Sequence, residues 1–82
     1  MKKRIYIWAD TCDKVIKGHY YSEKELKNAL IKYYKDLLKE DPTDEEISTT
    51  IKELKSPDCK DINDIEMACD TNVLVDYIEI EE

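Results

Sequence analysis

The chain of 82 residues predicts an α+β domain: a small antiparallel sheet of three to four strands drawn from both termini, with two consecutive helices packed on one face. Three observations carry that expectation. "RIYIWA" (residues 4–9) and "VLVDYIEIE" (73–81) are runs of β-branched and aromatic residues near opposite ends of the chain, with the composition and period of strands. Between them lie two segments whose apolar residues recur at three- and four-residue spacing, the period of amphipathic helices. The length is close to the lower limit for a single hydrophobic core, so residues 1–82 are read as one domain.

Taken in order, "RIYIWA" sets Ile5, Ile7 and Ala9 against Tyr6 and Trp8. Both faces are apolar, which marks a central strand. "DTCD" reads as a turn, because Asp and Thr side chains bond readily to nearby backbone. "KVIKGHYY" is then the returning strand, with Gly18 at its bend or end. Ser22-Glu23-Lys24-Glu25 is a capping box, Ser22 accepting from the Glu25 amide and Glu25 reaching back to the Ser22 amide. The helix it opens places Leu26, Ala29, Leu30, Tyr33, Leu37 and Leu38 on one stripe, with Ile31 and Tyr34 at its margin. Pro42 stops it, since the residue before a proline is pushed out of the helical region.

Thr43-Asp44-Glu45-Glu46 repeats the box, with three acids at the positive end of the helix dipole. Ile47, Thr50, Ile51 and Leu54 form its narrower stripe, and Ser56-Pro57 ends it. Residues 61–70 admit two readings. Asp61 can cap a short helix carrying Ile62, Ile65 and Cys69, or Ile65, Met67 and Cys69 can alternate as a strand. The final run is a strand paired with the first. The expected core is Ile5, Ile7, Leu26, Leu30, Tyr33, Leu37, Ile47, Ile51, Leu54, Val73, Val75 and Ile78, and Trp8, like Tyr33, is expected to fill core.

Composition narrows the function. Charged residues are 40% of the chain and apolar residues 41%, which describes a folded domain with a heavily ionised surface. No apolar run approaches the roughly 20 residues of a membrane span, and the N-terminal residues lack the apolar stretch of a secretory signal. A cytoplasmic protein is expected, and three widely spaced cysteines suit reduced thiols better than a disulfide framework. Abundant Lys, Ile, Asn, Asp and Tyr with a single arginine point to an AT-rich bacterial or phage genome. Charge is unevenly spread. Residues 1–41 hold 10 Lys/Arg against 7 Asp/Glu, and residues 42–82 hold 3 against 13.

"DTCDKVIKGHYYS" (10–22) gathers a cysteine with the only histidine and the only glycine of the chain. A Cys12–His19 dyad oriented by Asp10 or Asp13 would be a nucleophile and base, but no glycine-rich turn exists to build an oxyanion pocket. Cys12, His19, Cys59 and Cys69 would make a tetrahedral zinc site, yet no two of them have knuckle spacing. Asp58, Asp61, Asp64 and Glu66 recur without the alternate spacing or the glycine of a calcium loop. No phosphate loop or dinucleotide fingerprint occurs. Neither an enzyme nor a cofactor is expected.

That leaves the surface. Asp44, Glu45, Glu46, Glu53, Asp58, Asp61, Asp64 and Glu66, flanked by Asp41 and Asp70, form a nearly unbroken acidic series. It repels nucleic-acid phosphate and attracts basic grooves. The expected partner is a protein with a basic surface, contacted by these acids and by Tyr20, Tyr21 and Tyr34 as aromatic anchors; no direct nucleic acid and no membrane contact is expected. The alternative is a metal-stabilised or thiol-based protein using Cys12, His19, Cys59 and Cys69. In its acidic, lysine-rich, motif-free composition the chain is similar to the small phage-encoded inhibitors of host defence, including anti-restriction and anti-CRISPR proteins. That resemblance implies occlusion of a partner's surface and carries no individual residue with it.

Overall fold

The computed structural model describes residues 2–12, 14–69 and 72–81. The order is β1 (Lys2–Asp10), β2 (Val15–Tyr20), α1 (Glu23–Glu40), α2 (Glu45–Lys55), α3 (Ile62–Ala68) and β3 (Val73–Glu81). The strands form one antiparallel sheet in the order β2-β1-β3, so the two-sided strand is central, as its composition requires. One face of the sheet carries the helices: α1 packs on β1, β2 and α2, while α3 packs on β3 and α2. The sheet has three strands, and the ambiguous segment is a helix, so three helices rather than two cover that face.

Local chemistry accounts for the boundaries. Ser22 Oγ accepts from the Glu25 amide at 3.1 Å, but Glu25 Oε2 accepts from the Tyr21 amide at 2.9 Å rather than from Ser22. The expected box is half formed, and its second arm ties the end of β2 to the helix. Helix α2 is capped by Asp44, whose Oδ1 accepts from the Glu46 and Ile47 amides. Thr43 instead gives its hydroxyl to Asp41, so the cap lies one residue later than the sequence pattern placed it. In α3 the reciprocal box is complete between Asp61 and Asp64. It offsets the cost of nucleating a seven-residue helix, a length far below what is stable alone.

Trp8, Val73 and Val75 lie on the core side as expected, but Ile5, Ile7 and Ile78 are on the opposite face from the one expected. Tyr6 and Trp8 point toward the helices and are buried, joined by Val73 and by the half-buried Tyr20, Val75 and Tyr77. Ile78, expected in the core, is 53% exposed, and Ile5 and Ile7 are half-buried on the same outward face. The reason is size and reach. Aromatic rings remove about 150–250 Å² each from water and span the gap to the helices, while their hydroxyls reach polar partners at the rim. Tyr6 Oη donates to Glu23 at 2.7 Å and Tyr33 Oη to Asp10 at 3.3 Å. Rings of Trp8 and Tyr33 lie 4.9 Å apart, and those of Tyr33 and Tyr34 lie 5.2 Å apart.

The helices complete the core with Leu26, Leu30, Tyr34, Ile51, Leu54, Ile62 and Ile65, together with Cys59 from the loop. Tyr34, expected as an exposed anchor at the margin, is 1% exposed. The buried line of α1 runs Leu26, Leu30, Tyr34 at steps of four, which moves Tyr33 and Leu37 to partly buried flanks, and Ile47 of α2 is likewise only partly buried. Gly18 pairs with Trp8 beside a register shift. A Cβ there would lie 2.5 Å from the Tyr20 hydroxyl, so glycine lets the Tyr20 ring fold back over the strand toward the core.

Candidate functional site

The acidic series falls on α2, the loop after it and α3. Asp44 and Asp61 serve as caps. Glu45 and Glu46 stand exposed in the first turn of α2. Glu46 and Glu53 are two turns apart on one stripe of that helix, about 10 Å along its axis. At its C-terminal end Glu53, Asp58 and Asp64 line an open depression of about 340 Å³ together with Cys59, Met67 and Ala68. Glu66, next in sequence to Met67, is exposed. Asp70 lies outside the described residues.

The charges here are not neutralised within the fold. Among the described residues, Glu45, Glu46, Glu53, Asp58 and Glu66 form no ion pair; the ion pairs join Lys2 and Arg4 to Glu79, and Lys39 to Asp36. Asp64 is held ionised below the usual carboxylate range by the Lys60 and Asp61 amides that donate to it. Cys59 responds oppositely: burial pushes its thiol up, and the neighbouring carboxylates of Asp64, Asp61 and Glu53 add to that, against Lys27. A thiol kept protonated is a poor nucleophile and a poor metal ligand. Lys27 turns its ammonium to the Cys59 carbonyl at 2.8 Å, fixing the loop under the depression.

The thiol and metal candidates are dispersed. Cys12 is exposed in the β1–β2 turn, Cys59 is buried and Cys69 half-buried after α3, while His19 sits exposed on β2, paired with Ile7. Among the described residues no three His, Cys, Asp or Glu side chains are arranged to hold a metal ion, and the calcium-loop carboxylates Asp61 and Asp64 are engaged in capping α3. Asp10 turns its carboxylate to the Cys12 amide at 2.7 Å and to Tyr33, so it shapes a turn rather than orienting His19. Asp13 lies outside the described residues.

The aromatic candidates do not gather with the acids. Tyr20 is half-buried over Gly18, and Tyr34 is interior. Tyr21 is 57% exposed on the outward face of the sheet, with Lys3 Nζ 4.8 Å from its ring centroid and His19 edge-on at 6.1 Å.

Sequence reasoning missed that outward face. Ile16, Leu74, Ile78 and Ile80 are all exposed there around the half-buried Ile5 and Ile7, on a sheet whose helices lie on the opposite side. The signal was present: both strand runs carry apolar residues at both parities, which asks for two packing faces, whereas the helices supply one. Among the described residues no helix is long and apolar enough to cross a membrane. Comparison with protein-family models, curated proteins and solved structures gives no match, so the functional reading rests on these surfaces.

Proposed function

We propose that this chain is a small protein-binding module that occludes a basic surface of its partner, such as the phosphate-contacting groove of a nucleic-acid-binding protein. The acidic surface from the first turn of α2 to α3 is the contact region. The observation that carries this reading is the group of exposed carboxylates, Glu45, Glu46, Glu53, Asp58 and Glu66, left without internal cations on a chain of net charge −7. Such unpaired charge steers a basic partner and excludes nucleic acid itself. The depression lined by Glu53, Asp58 and Asp64 adds shape, since apolar side chains beside carboxylates suit a lysine or arginine, whose stem is apolar and whose head is charged.

The test is capture by tagged protein from a nuclease-treated bacterial lysate, in parallel with two charge-reversed variants, Glu45→Lys/Glu46→Lys and Glu53→Lys/Asp58→Lys. The expected result is one nucleic-acid-binding protein retained at low salt, released as salt screens the contact, and lost in at least one variant. A partner retained equally by both variants, or no partner, would overturn the reading.

A further inference from the structure

We propose that the outward face of the sheet is a self-association surface that seats a second copy of this chain, sheet against sheet. The inference is independent of what the acidic surface binds. In rows across the sheet, β1 and β3 present Lys3 beside Ile80, Ile5 beside Ile78, Ile7 beside Asp76, and Ala9 beside Leu74; Tyr21 and His19 flank them from the β2 side. Apolar side chains dominate, and a contiguous exposed apolar patch of this kind marks a contact surface.

Charge selects the occupant. The chain carries −7 overall, but among the described residues the β1–β3 rows of this face hold one cation, Lys3, and one anion, Asp76, with His19 and, at the register shift of β2, the exposed Lys17 at their side. The face lacks the dense acidity of the helical side, so two copies can approach here while their acidic helices point away from each other.

The placement of those two charges is self-complementary. Lys3 lies one outward row to one side of the Ile5–Ile78 row, and Asp76 lies one outward row to the other side, in the neighbouring strand. A twofold axis lying between two facing sheets and crossing the strands at the Ile5–Ile78 row exchanges those rows. Each Lys3 then meets the Asp76 carboxylate of the other copy, one oxygen of which, Oδ1, accepts from the Tyr77 amide at 2.7 Å, and Ile5 and Ile78 pack on their own equivalents. The exchange also requires the strands of the two sheets to be inclined by about 30 to 40°, from the strand rise and spacing.

The sense of that inclination follows from the backbone. Thr11 N–H donates to Asn72 O at 2.9 Å, continuing the β1–β3 pairing, so the odd residues of β1 direct their backbone bonds toward β3. That fixes the order of strands seen from outside, and the required angle is negative, the hand of the roughly −30° at which twisted sheets pack face to face. Ile16 and Leu74 fall at the far end, outside the contact. A footprint of roughly 300–400 Å² per copy is small against the about 800 Å² of a standard interface. The dimer is therefore a weak one, formed in proportion to concentration.

The experiment is sedimentation velocity of the full chain across a concentration series, with far-UV circular dichroism as a control for folding. The expected result is a monomer–dimer equilibrium. Ile78→Lys, at an exposed position, should keep the fold and raise the dissociation constant by about a hundredfold or more, because a charge would be buried at the twofold. Lys3→Asp should weaken the dimer by about tenfold, and Lys3→Asp/Asp76→Lys should restore it. A monomer at every concentration, a dimer indifferent to Ile78→Lys, or failure of the charge swap to restore association would each overturn the proposal.

Discussion

The hydrogen bond from Tyr6 to Glu23 joins the central strand to the first turn of α1, and Tyr6→Phe removes it while leaving the ring in place. Tyr6 is 4% exposed, and its hydroxyl donates at 2.7 Å to a half-buried carboxylate. A hydrogen bond to a charged group contributes about 1.5–3 kcal/mol. Here solvent reaches Glu23 and can replace the lost donor, so a loss of about 1–2 kcal/mol is expected. For a chain this size the total is about 4–12 kcal/mol, and each kcal/mol moves the melting temperature by about 4–8 °C. Tyr6→Phe should therefore melt roughly 5–15 °C lower, read by circular dichroism, with a parallel urea titration of unchanged slope. Tyr20→Phe is the control. Its hydroxyl has no protein hydrogen bond among the described residues, and the expected change is within about 0.5 kcal/mol.

The same contact has a pH signature of known sign. Burial, together with the bond to Glu23, raises Tyr6 above its ordinary value of 10.0, with Arg4 acting in the opposite direction. A folded-state value above the unfolded one means that the neutral phenol is the form the fold favours. Its stabilisation is complete below about pH 10 and is lost as pH rises through the folded value. The gap between wild type and Tyr6→Phe should then narrow in alkali. A gap that stays constant with pH, or wild type and variant melting together at neutral pH, would refute the reasoning.

Three further outcomes follow from the same structure. Val73 faces the core and Leu74 faces outward, so Val73→Asp should abolish cooperative urea unfolding while Leu74→Asp changes stability by no more than about 0.5 kcal/mol; equal effects would mean the strand parity is wrong. Asp10, through the Cys12 amide first, and Asp64, through the Lys60 and Asp61 amides, both titrate below 3.8 in the fold. Their stabilisation is present above about pH 4 and lost as pH falls through the lowered values, so Asp10→Asn and Asp64→Asn should flatten the acid limb of a urea-midpoint profile. In native alkylation followed by mass spectrometry, exposed Cys12 should react first, and Cys59, buried with its thiol pushed up, only on unfolding.

How far the fold was legible depended on whether a local signal had a competitor. Helices α1 and α2 were readable because a cap, an apolar period and a proline stop coincide in each. The segment 61–70 was not, since Ile62, Ile65, Met67 and Cys69 satisfy a helical and an alternating pattern alike. What decides it is the reciprocal bonding of Asp61 and Asp64, with Ile62 and Ile65 turned into the core and Met67 left 84% exposed. Strand parity failed for Ile5, Ile7 and Ile78, though not for Trp8, Val73 and Val75, for a related reason. In "RIYIWA" both faces are apolar, so burial of isoleucines and burial of aromatics were both consistent with the pattern, and aliphatic hydropathy favoured the wrong set. Ring size, hydroxyl reach to Glu23 and the glycine that admits Tyr20 are tertiary facts, visible only once α1 stands over the sheet.

The acidic surface was legible as composition and not as geometry. The sequence offered Asp61 as a cap in one of two readings, but it could not say that Asp44 and Asp64 are also occupied as caps whereas Glu45, Glu46, Glu53, Asp58 and Glu66 form no ion pair among the described residues. That division matters, because a capping carboxylate already has backbone donors and loses them if it turns to a partner, while an unpaired one loses only water. Charge reversal at Glu53 and Asp58 should thus weaken a basic partner without weakening the fold. The same change at Asp64 would disturb α3 and confuse binding with stability. The aromatic anchors were misjudged because a tyrosine within an amphipathic stripe carries no mark of its depth: Tyr33 and Tyr34 are adjacent, and only the steps of four from Leu26 through Leu30 show which one goes inside. Tyr21 is the one tyrosine of the expected set that remains well exposed, and it lies with Lys3 on the sheet face. The molecule therefore offers two surfaces of opposite chemistry on opposite sides of its core, and a contact made on one leaves the other open.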